Sequence, residues 1–143
     1  MLKIVSKKIN RADKKVLFEL NNLLKQWSPK RKPINAGRFR ELIKKSCLIG
    51  LFDGKRLIGT VTLIEMNKVS GRKGSIEHLI IDEKYRGRGL GEKLMRFALI
   101  VARKMKIKDI SLTCEPERVA ANALYKKLGF KIQKSKFYRL LPK

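Results

Sequence analysis

The sequence predicts an α/β chain of the α+β kind, with a mixed, mostly antiparallel central sheet flanked by helices. Three observations predict it. Two strand-like runs, "CLIGLF" and "KRLIGTVTLIEM", are separated by Asp53-Gly54, a tight-hairpin signal. Apolar residues recur at helical spacing from Asp13 to Trp27 and from Gly89 to Lys106. From "IEHLIID" onward, strand, helix, strand, helix and strand patterns alternate, so an antiparallel front half precedes a strand-helix back half.

Taken in order, "LKIVSK" reads as a first strand. Val16, Leu17, Leu20, Leu23, Leu24 and Trp27 form one apolar helical stripe, which "SPKRKP" ends. A short second helix is expected over Asn35 to Ser46, followed by the hairpin. The polar stretch "NKVSGRKGS" reads as a loop, and "IEHLIID" as a strand covered on both faces. In the next helix Leu90, Leu94, Phe97, Ala98, Val101 and Met105 share a face. "DISLTC" reads as a buried strand, "ERVAANALYKKLG" as a helix capped by Gly129, and "FKIQKSKFYRL" as the last strand.

The 143 residues, 43% of them hydrophobic, suit a single domain over 1–143 with its own core. No apolar run is long enough to span a bilayer, and the N-terminal stretch lacks a secretory apolar block, so a cytoplasmic protein is expected. Two cysteines, Cys47 and Cys114, and one histidine argue against a disulfide framework and against a zinc site. The net charge of +24 predicts attraction to polyanions, among them nucleic acid and ribosomes. An organism-wide lysine-rich surface explains the same number.

The stretch "RGRGLG", residues 86–91, lies between a strand pattern and a helix pattern. A helix begun by glycines presents unpaired backbone N–H groups and the positive end of its dipole to an anion. Gly87, Gly89 and Gly91 permit close approach, while Arg86 and Arg88 add charge. The P-loop pattern is absent, because Gly91 is followed by Glu92 and Lys93 with no serine or threonine to hold magnesium. A dinucleotide-type turn fails too, since the glycines fall at every second position. No glycine-flanked serine occurs, and neither cysteine has a histidine placed beside it by sequence, so a covalent intermediate has little support.

About thirty residues later comes "NALYKKLGFK". Together the two segments resemble the GCN5-related N-acetyltransferase (GNAT) superfamily. Arg86, Gly89 and Gly91 match its R/Q-x-x-G-x-G/A turn, and Asn122, Tyr125, Gly129 and Phe130 match its later helix signature. The resemblance covers about residues 50 to 139 well, and the N-terminal quarter by order of elements only. It implies that the turn, with Gly87, Arg88 and Leu90, binds the pyrophosphate of acetyl-coenzyme A, the acetyl donor, with no metal required. It also implies that backbone groups of Leu79 and Ile81 meet the pantetheine arm and polarise the thioester carbonyl. Tyr125 then takes the role of general acid to the departing thiolate, and Asn122 lies near the pantetheine.

Strand alternation puts Glu77 on one face with Leu79 and Ile81, as a base or amine-binding group, and His78 on the other. Pairing of Glu77 with a lysine is the competing role. "GSIEHLIIDEKYRGRGLG" is similar to the branch acting on glucosamine 6-phosphate, although protein acetyltransferases share most of these residues. With "SPKRKP" in the loop that walls the acceptor side in the family, the acceptor is expected to be acidic or phosphorylated, or a protein amine on a nucleic-acid-rich particle. The alternative is a non-catalytic, basic nucleic-acid- or ribosome-binding protein on the same scaffold. The single-strand reader expected of such a protein, basic residues interleaved with stacking aromatics, is not evident. Either a monomer or a homodimer fits the sequence.

Overall fold

The computed structural model describes residues 3–142; Leu2, which opens the expected first strand, lies outside the described residues. The chain divides into two compact units, Met1–Thr113 and Cys114–Lys143.

The first unit holds a five-stranded sheet in the order β1-β2-β3-β4-β5, made of β1 (Ile4–Lys8), β2 (Cys47–Asp53), β3 (Arg56–Lys68), β4 (Gly71–Ile81) and β5 (Asp109–Ser111). The first three pairings are antiparallel and β4 to β5 is parallel. Helices α1 (Lys14–Trp27) and α2 (Ala36–Lys45) precede β2, and α3 (Leu90–Lys104) links β4 to β5.

Local chemistry sets the helix starts. Asp13 Oδ1 accepts from the amides of Lys15 at 2.8 Å and Val16 at 3.1 Å, and Asn35 Oδ1 accepts from the Arg38 amide at 2.8 Å. Each side chain satisfies donors that the first helical turn leaves over. Asn21 grips both the N–H and the C=O of Ile34, at 2.9 and 3.0 Å, which fixes the path of the basic connection between α1 and α2. At its other end, α3 is closed by Lys106 in the left-handed region (φ 61), with the Ile107 amide reaching back to Ala102 O at 3.0 Å. Glycine is the usual residue there, and a lysine costs roughly 1–2 kcal/mol.

The sheet buries both faces. Leu20, Leu23 and Phe39 of the first two helices pack with Leu48, Phe52, Leu57 and Ile80. On the opposite face, alternation puts Ile49, Leu51, Val61, Leu63 and Ile76 with the buried side of α3, which includes Leu94, Met95, Ala98 and Ala102. Gly50 is required by packing: a Cβ there would lie 2.6 Å from Phe52 Cε2 and 2.8 Å from Leu57 Cδ1. Gly50→Ala is therefore expected to destabilise the protein by about 1–3 kcal/mol, read as a lower urea midpoint at unchanged slope.

Three sequence expectations are corrected. "NKVSGRKGS" is not a loop: β3 runs to Lys68 and β4 begins at Gly71, so its flanks extend a long hairpin held by the Arg72–Glu65 pair at 2.6 Å. A ladder of backbone bonds needs no apolar alternation, and polarity alone misreads such an arm. "DISLTC" is not a buried strand, because only Asp109–Ser111 pairs, and both end residues are exposed.

In the second unit, α4 (Val119–Lys127) ends at Gly129 with φ 98, as its spacing predicts. The expected last strand does not form: residues 130–142 have no regular structure, and Ile132 and Phe137 are 81% and 80% exposed. Alternating side chains alone do not make a strand: the backbone must also pair with an edge, and residues 130–142 pair with none among the described residues.

Candidate functional site

The turn after β4 is built from its own backbone. Asp82, buried, accepts from the Lys84 amide at 3.0 Å and starts a 3₁₀ turn, Glu83–Tyr85. Tyr85 Oη donates to Asp53 Oδ2 at 2.7 Å, which ties that turn to the β2–β3 hairpin and, chiefly through this hydrogen bond, raises the phenol's pKa. Gly87 and Gly89 follow at φ 77 and 73. A Cβ at either would touch nothing within 4 Å, so open space lies before the first turn of α3. The first intrahelical bond runs from Lys93 N to Gly89 O, and Gly89 has no capping side chain, so the amides of Leu90 and Gly91 are left to an external acceptor. The Leu90 side chain is buried, which leaves only its backbone to face the turn. Arg86 Nε donates to Ile81 O at 2.9 Å, and Arg88 lies 5.4 Å from the Tyr85 ring centroid, so both cations are held beside the turn.

The strand leading into the turn is half open. Pairing of β4 with β5 ends at Ser75–Ser111, six residues before β4 itself ends at Ile81. On the other side, Asp82 N donates to Ile58 O at 2.8 Å, which makes Gly59–Ile81 a pair without mutual backbone bonds. The N–H and C=O of Ile81 thus face away from β3, and Leu79, two residues earlier, has the same orientation.

One expectation about this strand is overturned. Glu77 does not share a face with Leu79 and Ile81, nor does His78 point opposite to it. Glu77 pairs with Thr62 and Ile80 with Thr60, so one β3 residue, Val61, opposes both His78 and Leu79. This is a β-bulge, with His78 in the left-handed region at φ 51. The extra residue turns Glu77 onto the face of Ile80, toward α1 and α2, and leaves Ile81 with Gly59 on the α3 face.

His78 meets the Trp27 ring edge-on at 4.9 Å, and the Arg31 guanidinium lies 5.6 Å from the same ring. Burial lowers the histidine's pKa; neighbouring Glu77 opposes this and Arg31 adds to it. The half-buried Glu77 accepts from Ser75 Oγ at 2.6 Å. Trp27 and Ser75 were not marked by the sequence as site residues. The signal for Trp27 was its place immediately before "SPKRKP".

Within the second unit, Tyr125 is 8% exposed and meets Phe130 edge-on at 6.0 Å. Burial, and then Cys114, raise its pKa, with Arg118 opposing. Asn122 Nδ2 donates to the carbonyls of Glu115 and Arg118, both at 2.9 Å, so its amide group braces the turn before α4. No helix among the described residues is long and apolar enough to cross a membrane.

The first unit thus presents a strand with an open outer edge that feeds a glycine turn and a long helix. The model of the acetyltransferase (GNAT) family matches residues 16–130, and the chain belongs to that family. It is 33% identical over 85 residues to streptothricin acetyltransferase of Escherichia coli, an alignment covering 59% of this chain and 47% of that protein. It is 28% identical over 120 residues to glucosamine 6-phosphate N-acetyltransferase 1 of Oryza sativa subsp. japonica, covering 76% and 70%. The chain thus spans about half the length of the Escherichia coli relative. A putative acetyltransferase from Agrobacterium tumefaciens str. C58 shares the fold, with a TM-score of 0.84 at 19% identity over 96% of this chain and 99% of that one.

Proposed function

We propose that the protein transfers the acetyl group of acetyl-coenzyme A to a primary amine by direct attack. The observation that carries this reading is the pair of unclaimed amides at the start of α3, behind two left-handed glycines and beside Arg86 and Arg88. The pyrophosphate sits on that turn, and the pantetheine runs along the open edge of β4 at Leu79 and Ile81. A backbone N–H there stabilises the oxyanion as the amine nitrogen bonds to the thioester carbon. Collapse of the adduct breaks the carbon–sulfur bond; Tyr125, with Asn122 one helical turn earlier, supplies the proton for the thiolate, and the proton that the adduct nitrogen sheds as the amide forms restores the phenol, through water. Glu77, oriented by Ser75, holds the ammonium and takes its proton.

The acceptor is an amine attached to an acidic or phosphorylated group, an amino-sugar phosphate being the first choice. The rice relative is named for glucosamine 6-phosphate, and Arg31 stands beside Trp27 and His78, on the face toward which Glu77 turns. The test is release of free thiol from acetyl-coenzyme A with glucosamine 6-phosphate, glucosamine, polyamines and peptides bearing free N-termini. Turnover confined to the phosphorylated sugar supports the assignment, and equal turnover of glucosamine removes the phosphate from it. Neutralising Lys30, Arg31 and Lys32 together is expected to raise the acceptor KM about tenfold at low salt and to flatten its salt dependence, with kcat little changed.

A further inference from the structure

A second concave surface, about 550 Å³, is lined by Arg72, Arg103, Lys106, Ile107 and Lys108. It lies at the C-terminal end of α3, whose 15 residues separate it from the glycine turn by about 22 Å. The carboxylates at this edge of the sheet are already engaged: Glu65 by Arg72 at 2.6 Å, and Asp109 by Lys73 at 3.1 Å. Arg103, Lys106 and Lys108 are exposed and have no carboxylate partner among the described residues. The negative end of the helix dipole accounts for Arg103, in the last turn, but its reach fades beyond that turn. Lys106 is the more telling, because it occupies the left-handed cap position, where a side chain is disfavoured and glycine is not. A strained residue that adds a cation to an already repulsive hollow points to an anionic ligand.

We propose that this hollow binds the phosphodiester backbone of a nucleic acid, at a site separate from the glycine turn. A backbone carrying a charge at every step engages several cations at once and gains by releasing its counterions. The guanidinium fork of Arg103 suits phosphate oxygens, and the net charge of +24 extends the attraction beyond the hollow. A bilayer fits poorly, since Ile107, the apolar lining residue, is 3% exposed and offers nothing to insert.

The test is fluorescence anisotropy of a labelled single-stranded RNA of about 16 nucleotides, titrated with the full chain across a range of salt. The triple variant Arg103→Gln/Lys106→Gly/Lys108→Gln is expected to bind at least about tenfold more weakly at low salt, with the log–log salt slope reduced by about 2. A control with the same charge loss on α1, Lys14→Gln/Lys15→Gln/Lys25→Gln, is expected to lose less than half as much. Lys106→Gly alone should weaken RNA binding while its unfolding midpoint stays level or rises, which separates the ligand from the fold. Equal losses in the two triple variants would mean diffuse attraction and overturn the site. So would poly-glutamate competing as well as RNA at equal charge, or acetyl-coenzyme A affinity falling in step with RNA affinity.

Discussion

Tyr125→Phe is expected to lower kcat about 10²- to 10⁴-fold while leaving acetyl-coenzyme A affinity nearly unchanged. The substitution removes one oxygen and keeps the ring that meets Phe130, so packing in the second unit survives. What is lost is a proton donor, and the loss is read on the step that breaks the carbon–sulfur bond, an effect of about 3 to 5 kcal/mol on the barrier. The direction of the pKa shift makes a pH prediction as well. Burial favours the neutral phenol, so its pKa lies above the ordinary 10.0 and the acid stays protonated throughout the neutral range. Activity should therefore rise with pH as the acceptor amine loses its proton, and fall only on the alkaline side of the ordinary phenol value, once the phenol ionises. In the phenylalanine variant that alkaline fall should vanish. Full turnover in the variant, or an alkaline limb unchanged by it, would take Tyr125 out of the mechanism.

Where local chemistry decides, the sequence is readable. Asp13 and Asn35 announce their helices because a short polar side chain satisfies amides only a few residues away, and Gly129 ends α4 because its φ of 98 suits a residue without Cβ. "RGRGLG" is legible for the same reason, since turn, dipole and charge are all encoded within six residues. The bulge at His78 is not legible. It depends on how β4 registers against Thr60 and Thr62, about 15 to 20 residues away in sequence, and its one-residue slip changes which face carries Glu77. The hairpin arm at 67–75 and the unpaired segment after Gly129 fail in opposite directions for one cause: whether a backbone finds an edge is decided by the fold, not by the residues that use it. Glu77 is therefore a site candidate whose chemistry was readable and whose direction was not.

Gly89→Asp is expected to weaken acetyl-coenzyme A binding roughly 30- to 1000-fold, an effect of about 2 to 4 kcal/mol. Two effects separate here. Gly89 sits at φ 73, and any side chain there is strained by roughly 1–2 kcal/mol, with aspartate among the residues that bear it best. The added Cβ meets nothing within 4 Å, so the helix start need not move. The carboxylate does the damage: it sits among the amides that begin α3, satisfies them itself, and repels the incoming pyrophosphate. Gly89→Ala supplies the strain without the charge and should cost less than a tenth of the aspartate's loss in affinity. Calorimetric titration of both variants with acetyl-coenzyme A reads the difference directly, and thermal unfolding without ligand reads the strain. Should the two variants lose affinity equally, backbone geometry rather than an anion would explain the glycine, and the pyrophosphate would have to be sought away from this turn.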